Sequence, residues 1–480
     1  MSATTAIAPP PAAQQQQRGP LAIPVPAGEI FTIATEYLEA GRFDAAERML
    51  GHILNVAPRQ PDALHLKGLI AFRRGNIPIA GELMERSIAE GGGQKSAHYR
   101  NLSEVYRLQA KLDEALTAAR RAIALDPADP LGPFNLAMVH YDRLETDACM
   151  AAAKHSLDLR PNLPQSHMKL AQVLLLRGEM EQGWEEYEWR YQIPGAQPLM
   201  PKTERPQWDG GDLGDGRLLL VADQGFGDVV MFMRYLPWAQ SRVKNIVIAC
   251  SAEMLPTLQR HFPDIPMFNR WDRCGDYAAF CPFSGLPRLK KTRLESIPGE
   301  TPYLHPDPEK MRIWAERLNA QVPAGLRRIG ISWAGRPTHN NDINRSIRFE
   351  MLAPICDLEG IALLSLQKGK PVEQSAQYNG RAPLIDLDNQ LETFEDTMAL
   401  ICQLDLLVTV DTAIGHFAGA MNRPAWIMVP HAPDFRWLLG RSDSPWYPSL
   451  RLFRNPAPRR WDLVIPAVAA ELRRHLTTLR

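Results

Sequence analysis

The sequence predicts two structural classes in series, an array of paired helices followed by a doubly wound α/β region. Three observations predict it. Small residues recur every 34 or 35 residues between residues 34 and 171. From residue 217 onward, short Val/Ile/Leu runs alternate with helical stretches. The stretch 405–430, DLLVTVDTAIGHFAGAMNRPAWIMVP, condenses that second pattern. It holds an apolar run at 406–410, an Asp411-Thr412 helix cap, a small-residue helix over 413–421 and a second apolar run at 425–429 stopped by Pro430. Strand, tight turn, helix, strand is one turn of a doubly wound sheet. The helix N-terminus leaves free N–H groups at the positive end of a dipole, where an anion can sit. Gly415 and Gly419 remove side chains where a ligand or the strand comes close.

Composition bounds the function classes. The 480 residues are 45% hydrophobic and 22% charged, the balance of a soluble globular protein of two or three domains. Lys+Arg and Asp+Glu both number 54, so no global charge draws the chain to nucleic acid or to an anionic membrane. No apolar run is long enough to span a membrane, and no basic and apolar leader opens the chain. Cys149, Cys250, Cys274, Cys281, Cys356 and Cys402 form no CxxC pair. They read as buried free thiols of a reducing, cytoplasmic compartment.

Taken in order, residues 1–27 are rich in Ala, Pro and Gln and cannot build a core. Residues 28–193 form about five repeats. Ala34, Gly68, Ser103, Ala137 and Ala171 are each followed twelve residues later by another small residue: Ala46, Ala80, Ala115, Cys149 and Gly183. Pro58, Gly92, Pro127 and Pro161 supply the helix breakers. This is the period and small-residue pattern of the tetratricopeptide α-solenoid. Such a solenoid offers a groove to a polypeptide, and an independent groove should bind an acceptor protein without the rest of the chain. Trp184, Tyr187, Trp189 and Tyr191 end the array at the spacing of a capping helix packed on the next domain. Residues 194–216 read as a Pro/Gly/Asp linker.

The α/β region divides into halves at 217–320 and 321–480. The first has expected strands at 218–221, 245–249 and 277–280, with a helix over 229–240. A charged helix at 307–320 leads to the second half, whose strands are expected at 328–333, 362–366, 406–410 and 425–429. Two Rossmann-like halves with a cleft between them follow. Gly225-x-Gly227 lies after a strand and opens a helix, but Val230 fills the third glycine position of a dinucleotide fingerprint. Cys250 stands where a ribose-binding acid belongs, which argues against NAD. Asp228, in the first turn of that helix, either caps it or takes a proton from a hydroxyl nucleophile. In the second half, Gly335, Arg345, Lys368 and the Asp411-Thr412 turn follow successive strands. Arg345, Lys368 and Thr412 would converge on a polyanion if those strands are neighbours.

The stretches DQGFGDVVMFMRYLP, CPFSGLPRL, ISWAGRPTHNNDINRSI, SLQKG, DLLVTVDTAIGHFAGA and DSPWYPSLRLFR resemble those of bacterial proteins that fuse tetratricopeptide repeats to a GT-B glycosyltransferase domain. That half is similar to the heptosyltransferases of lipopolysaccharide synthesis. The overall layout is similar to the protein O-GlcNAc transferases, and some proteins of this layout are thought to modify flagellin. The resemblance implies a GT-B fold and an enzyme that moves a sugar from a nucleotide-sugar donor to a protein hydroxyl. It implies Asp228 as general base and the turn 411–416, with Asp411, Thr412, Gly415 and His416, as the seat of the donor phosphates. Asp223, Arg336 and Phe435 depart from the family's usual glutamate, asparagine and tryptophan.

The expected mechanism is inverting displacement without a metal or other cofactor, Arg345, Lys368 and the helix N-terminus meeting the leaving phosphate. Asp386-Leu-Asp388 looks like a DxD metal motif but reads as a turn. His339, His431, Asp434 and Arg436 are candidates for lining the cleft. Two further readings stay open: a scaffold whose GT-B half has lost its chemistry, and a lipopolysaccharide or glycan transferase.

Overall fold

The computed structural model describes residues 27–193, 201–339 and 341–478. The expected tail, Ala27 apart, and the first part of the expected linker lie outside the described residues. The chain divides into two compact units, Met1–Gln109 and Ala110–Arg480.

The first unit is all helical: α1 (Ala27–Glu39), α2 (Phe43–Val56), α3 (Pro61–Arg73), α4 (Ile77–Ala89) and α5 (Ser96–Leu108). Helix α1 packs on α2, α3 on α4, and α4 on α5. The recurring small positions are the contact points, with Ala34, Ala46, Gly68, Ala80 and Ser103 all buried. A Cβ on Gly68 would sit 2.9 Å from Met84 Cγ, so the absent side chain sets how closely α3 meets α4. Pro61 opens α3, where its missing N–H costs nothing, and the Gln60 side chain accepts from Ala63 N at 2.7 Å.

The second unit continues the repeat with α6 (Leu112–Leu125), α7 (Leu131–Asp142), α8 (Thr146–Leu159), α9 (Pro164–Arg177) and α10 (Met180–Tyr187). Ala115, Ala137, Cys149, Ala171 and Gly183 are buried there. These helices run into an α/β region of two parallel sheets. The first has strands β1 (Arg217–Val221), β2 (Asn245–Ala249), β3 (Met267–Phe268) and β4 (Ala279–Pro282) in the order β3-β2-β1-β4. The second has β5 (Arg327–Ser332), β6 (Ile361–Ser365), β7 (Leu384–Asp386), β8 (Leu406–Val410), β9 (Ala425–Val429) and β10 (Leu450–Arg454) in the order β10-β9-β8-β5-β6-β7.

The helices of this region are α11 (Phe226–Phe232), α12 (Leu236–Arg242), α13 (Leu255–His261), α14 (Leu286–Leu289), α15 (Pro308–Gln321), α16 (Asp342–Arg345), α17 (Ala353–Cys356), α18 (Phe394–Cys402), α19 (Ala413–Ala420) and α20 (Trp461–Thr478). The single helix expected over 229–240 is broken into α11, a 3-10 turn and α12. Pro237 in the first turn of α12 has no N–H to continue the ladder and crowds the carbonyl four residues back. Strands β3, β7 and β10 and helix α13 lie outside the elements expected from the sequence, as does α20, whose helical pattern is interrupted by Pro466. Helix α20 nonetheless buries Trp461, Ile465, Val468 and Leu472 in the core beneath the second sheet.

The last repeats are not a separate body. Ala137, Tyr141, Trp184 and Tyr187 share one core with Leu218, Phe232, Phe417 and Phe435 of the α/β region. Trp184 meets Phe232 and Phe435 edge-on, at 6.1 and 5.6 Å between ring centroids. The aromatic cap thus packs on the next domain, and the second half of residues 28–193 shares that domain's core. Cys149, Cys250, Cys274, Cys281 and Cys356 are buried and Cys402 is half-buried, all as free thiols. Among the described residues, no helix is long and apolar enough to cross a membrane.

Candidate functional site

In both parallel sheets the chain leaves each strand at its carboxyl end, and ligand crevices of α/β proteins open there. Loops after β1, β5, β8 and β9 bring the candidate residues to one place. Helix α11 packs on α19 across the two sheets. A Cβ on Gly227 would lie 2.8 Å from His416 Cδ2 and 3.4 Å from Ala413 Cα. Gly227 is therefore required by the approach of two helices. Gly415 has a similar role, since a Cβ there would meet Ile427 Cδ1 of β9 at 2.8 Å. Gly335 makes room for Arg345 and Asp342, and Gly225 has Asp228 Oδ2 3.2 Å from its missing Cβ. The four glycines serve packing around the crevice.

At the centre is an ion pair that joins the halves. Arg436 Nη2, on the loop after β9, donates to Asp228 Oδ1 in the first turn of α11. The same guanidinium donates from Nη1 to Asp434 Oδ1 at 2.5 Å and lies over the Phe435 ring. Both partners are largely enclosed, Arg436 at 12% and Asp228 at 21% side-chain exposure. Burial lowers the Arg436 guanidinium from its usual range. Burial, then the neighbouring Asp411 charge, raise Asp434, and its contact with Arg436 opposes the rise. Burial likewise raises the Asp411 carboxyl, against the pull of Arg345.

Arg345 donates to the Asp411 carbonyl at 3.1 Å and to Asp342 Oδ1 at 3.3 Å. His339 is held down first by burial and then by the Arg345 charge. Thr412 occupies the N-cap position of α19, but its side chain caps nothing and instead faces Thr409 Oγ1 at 3.3 Å. His416 is neutral: burial pushes it down to about 3, the Arg234 charge adds to that, and its Nδ1 meets Tyr447 OH at 3.0 Å. His431 Nδ1 lies 3.3 Å from the Asn455 carbonyl, at the edge of the group.

Lys368 stands apart. It turns towards β7, pairing with Asp388 Oδ1 at 2.9 Å and donating to the Leu391 carbonyl at 3.1 Å. The expected convergence therefore unites Arg345 with the 411–412 turn and leaves Lys368 outside it. Asp388 of the Asp386-x-Asp388 pair is the acid that takes Lys368. Among the described residues no cluster of three or more His, Cys, Asp and Glu is arranged to hold a metal ion.

Three groups escaped sequence reasoning. Gln367 is buried and accepts from Ser332 Oγ, Trp333 N and Ala334 N at 3.1, 3.0 and 2.9 Å, so it moulds the loop after β5. Arg234 is buried in the apolar run MFMRYLP and donates to the carbonyls of Met231 and Trp446, both at 2.9 Å. A charge inside such a run was the available signal. The third is a network at the end of the array. Tyr191 OH donates to Asp223 Oδ2 at 2.8 Å, Ser284 Oγ donates to the same oxygen at 2.5 Å, and Arg190 Nη2 donates to Ser284 Oγ at 2.6 Å. Asp223 opens the loop that leads into α11, whose first turn carries Asp228. On the other side, Tyr141 OH donates to the Pro433 carbonyl at 2.8 Å, just before Asp434. The end of the array thus holds the two segments that lead into the central ion pair.

Residues 31–95 match the model of the tetratricopeptide repeat. The paired helices carry tetratricopeptide repeats. Protein FlbA of Caulobacter vibrioides is 27% identical over 372 residues, 71% of this chain and 60% of that protein. The chain thus spans about three fifths of the length of this curated relative. Among solved structures, a thermophilic tetratricopeptide protein of Thermus thermophilus matches 36% of this chain and 93% of its own, at 22% identity and a TM-score of 0.32. A structure of the protein MamA matches 33% of this chain and 91% of its own, at 18% identity and a TM-score of 0.30.

Proposed function

We propose that the chain is a GT-B glycosyltransferase that moves a sugar from a nucleotide-sugar donor to a protein hydroxyl, with the repeats selecting the acceptor. The observation that carries this reading is the meeting of α11 and α19 at the carboxyl ends of two parallel sheets. It brings Asp228 of one half against Arg436, Asp434 and the 411–416 turn of the other. In the transfer, the acceptor oxygen bonds to the anomeric carbon while the bond from that carbon to the donor phosphate breaks. The electron pair leaves with the nucleotide, and the hydroxyl proton passes to Asp228. Arg345 and the first N–H groups of α19 meet the charge that grows on the phosphate. The similarity to heptosyltransferases and protein O-GlcNAc transferases supports the same reading. Flagellin is the first acceptor to test, and a reducing cytoplasm is the expected compartment.

The test is release of free nucleotide from a panel of UDP-, GDP-, CMP- and dTDP-sugars. Wild type should turn over one of them without added divalent metal, and Asp228→Asn should lose about 10²–10⁴-fold while still binding nucleotide. Arg345→Ala should weaken nucleotide binding by about 1.5–3 kcal/mol, with Lys368→Ala weaker in effect. No turnover by the wild type across the panel would overturn the enzyme reading. The pairing of Asp228 with Arg436 favours the second reading, a scaffold in which that carboxylate is structural, and the same panel separates the two.

A further inference from the structure

We propose that Arg436 is a positioning residue that masks Asp228 and lets go of it when an anion enters, exchanging one negative partner for another. The inference rests on the transferase reading for its purpose but on the ion pair for its geometry. Arg436 Nη2 covers Asp228 Oδ1 and Nη1 is fixed to Asp434, while Nε is buried with no hydrogen-bond partner. A carboxylate held this way is a weak proton acceptor, because the guanidinium favours its charged form and occupies an oxygen. Breaking a half-buried pair outright leaves two uncompensated charges, which is costly. An incoming phosphate removes that cost for Arg436, since its planar fork suits a phosphate as well as a carboxylate. The freed Asp228 then gains proton affinity at the moment the site is filled.

The surroundings fit an exchange in place. Asp228 pairs with Arg436 of the loop after β9, which also holds Asp434, and neutral His416 of α19 lies against the neighbouring Gly227. Asp411 and Arg345 lie beyond Asp434. Tyr141, Tyr187 and Tyr447 border the guanidinium. Asp434 anchors one nitrogen of Arg436, and Tyr141 anchors the backbone before it, so the side chain can re-aim its other nitrogens without the loop moving.

The test is labelling of Asp228 in the full chain by a water-soluble carbodiimide and an amine, read by peptide mass spectrometry, with inorganic pyrophosphate as the anion and reagent in excess. Wild type alone should be protected, and saturating pyrophosphate should raise Asp228 labelling several-fold. Arg436→Gln should label at that higher level with no anion, and Arg436→Lys, which keeps the charge, should stay protected. Equal wild-type labelling with and without pyrophosphate overturns the exchange. So does an Arg436→Gln protein as protected as wild type. If Arg436→Gln does not fold, the wild-type pyrophosphate pair decides alone. Flat labelling in a protein that turns over a nucleotide sugar sinks the exchange and leaves the transferase reading standing. A labelling rise in a protein that turns over none does the reverse.

Discussion

Helices α1–α5 and helices α6–α10 follow one repeat pattern, with the same small residues at the same period, yet their settings differ. Within the first unit, Ala34, Ala46, Leu50, Ile53, Ala63 and Ile70 of α1–α3 make one core, and Ala80, Met84, Leu102 and Val105 of α4 and α5 make another. In α7–α10 the equivalent faces join the core of two parallel sheets. A tetratricopeptide unit buries one face on the next unit and leaves the other for a partner. The last units have spent that second face on the α/β region of their own chain. The later repeats therefore belong structurally to the candidate site.

The widest test of that contrast is truncation. Removing residues 27–109 should leave a soluble protein that still binds nucleotide, whereas removing 27–192 should yield none, because it strips Tyr141, Trp184 and Tyr187 from a shared core. Equal solubility of the two truncations would break the comparison. Next in size is a pair of core deletions. Trp184→Ala should cost about 3–5 kcal/mol in the unfolding of the second unit, and Leu50→Ala about 2–5 kcal/mol in that of the first. Denaturant titration followed by hydrogen exchange assigns each loss to its unit. A Trp184→Ala loss confined to residues 27–109 would contradict the shared core.

Acid should weaken both units, through His65 in the first and His416 in the second. His65 stacks on His98 at 3.9 Å in the first unit, and burial, then the His98 charge, push it down to about 3. A folded value below the unfolded one of ~6.5 means that the unfolded chain binds the proton more readily. The stability it contributes is whole above pH ~6.5 and declines towards pH 3, by about 1.4 kcal/mol per unit. Between pH 7 and pH 5 His65 should take about 2 kcal/mol from the first unit, the lowered His98 adding to the slope, and His65→Gln should remove the His65 share. An unchanged slope in His65→Gln assigns the loss to other groups. The smallest effect is Tyr141→Phe, which leaves the Pro433 carbonyl without its donor and should cost about 1 kcal/mol in the second unit alone.

Much of the architecture was legible in the sequence because it rests on local regularities. The 34-residue period located every repeat helix pair, and short apolar runs located β1, β2, β5, β6, β8 and β9 within a residue or so. What escaped depends on distance along the chain or on strand ends. Asp228 and Arg436 are 208 residues apart, and no spacing rule pairs them. Lys368 and Arg345 both follow strands, but only the side chains' directions show that one turns to β7 and the other to the 411–412 turn. Gly227 and Gly415 read as room for a ligand, while their missing side chains are taken up by a helix and a strand. The reach of the shared core into the array is hidden for a related reason: aromatic spacing marks a cap, but not how far back the common core extends.

The Gln367 amide has a kinetic consequence. Its oxygen takes three donors from the loop after β5, and its nitrogen donates to the carbonyls of Ala334 and Lys368 at 3.0 and 3.2 Å. Every hydrogen-bonding position of the side chain is in use, so the backbone at 332–334 has its shape before any ligand arrives. Association with this half should therefore be a single step whose observed rate climbs linearly with ligand concentration, with no plateau from a loop that must first close. A glutamate at 367 would turn two donors into acceptors facing carbonyls, and the same experiment should then acquire a slow phase.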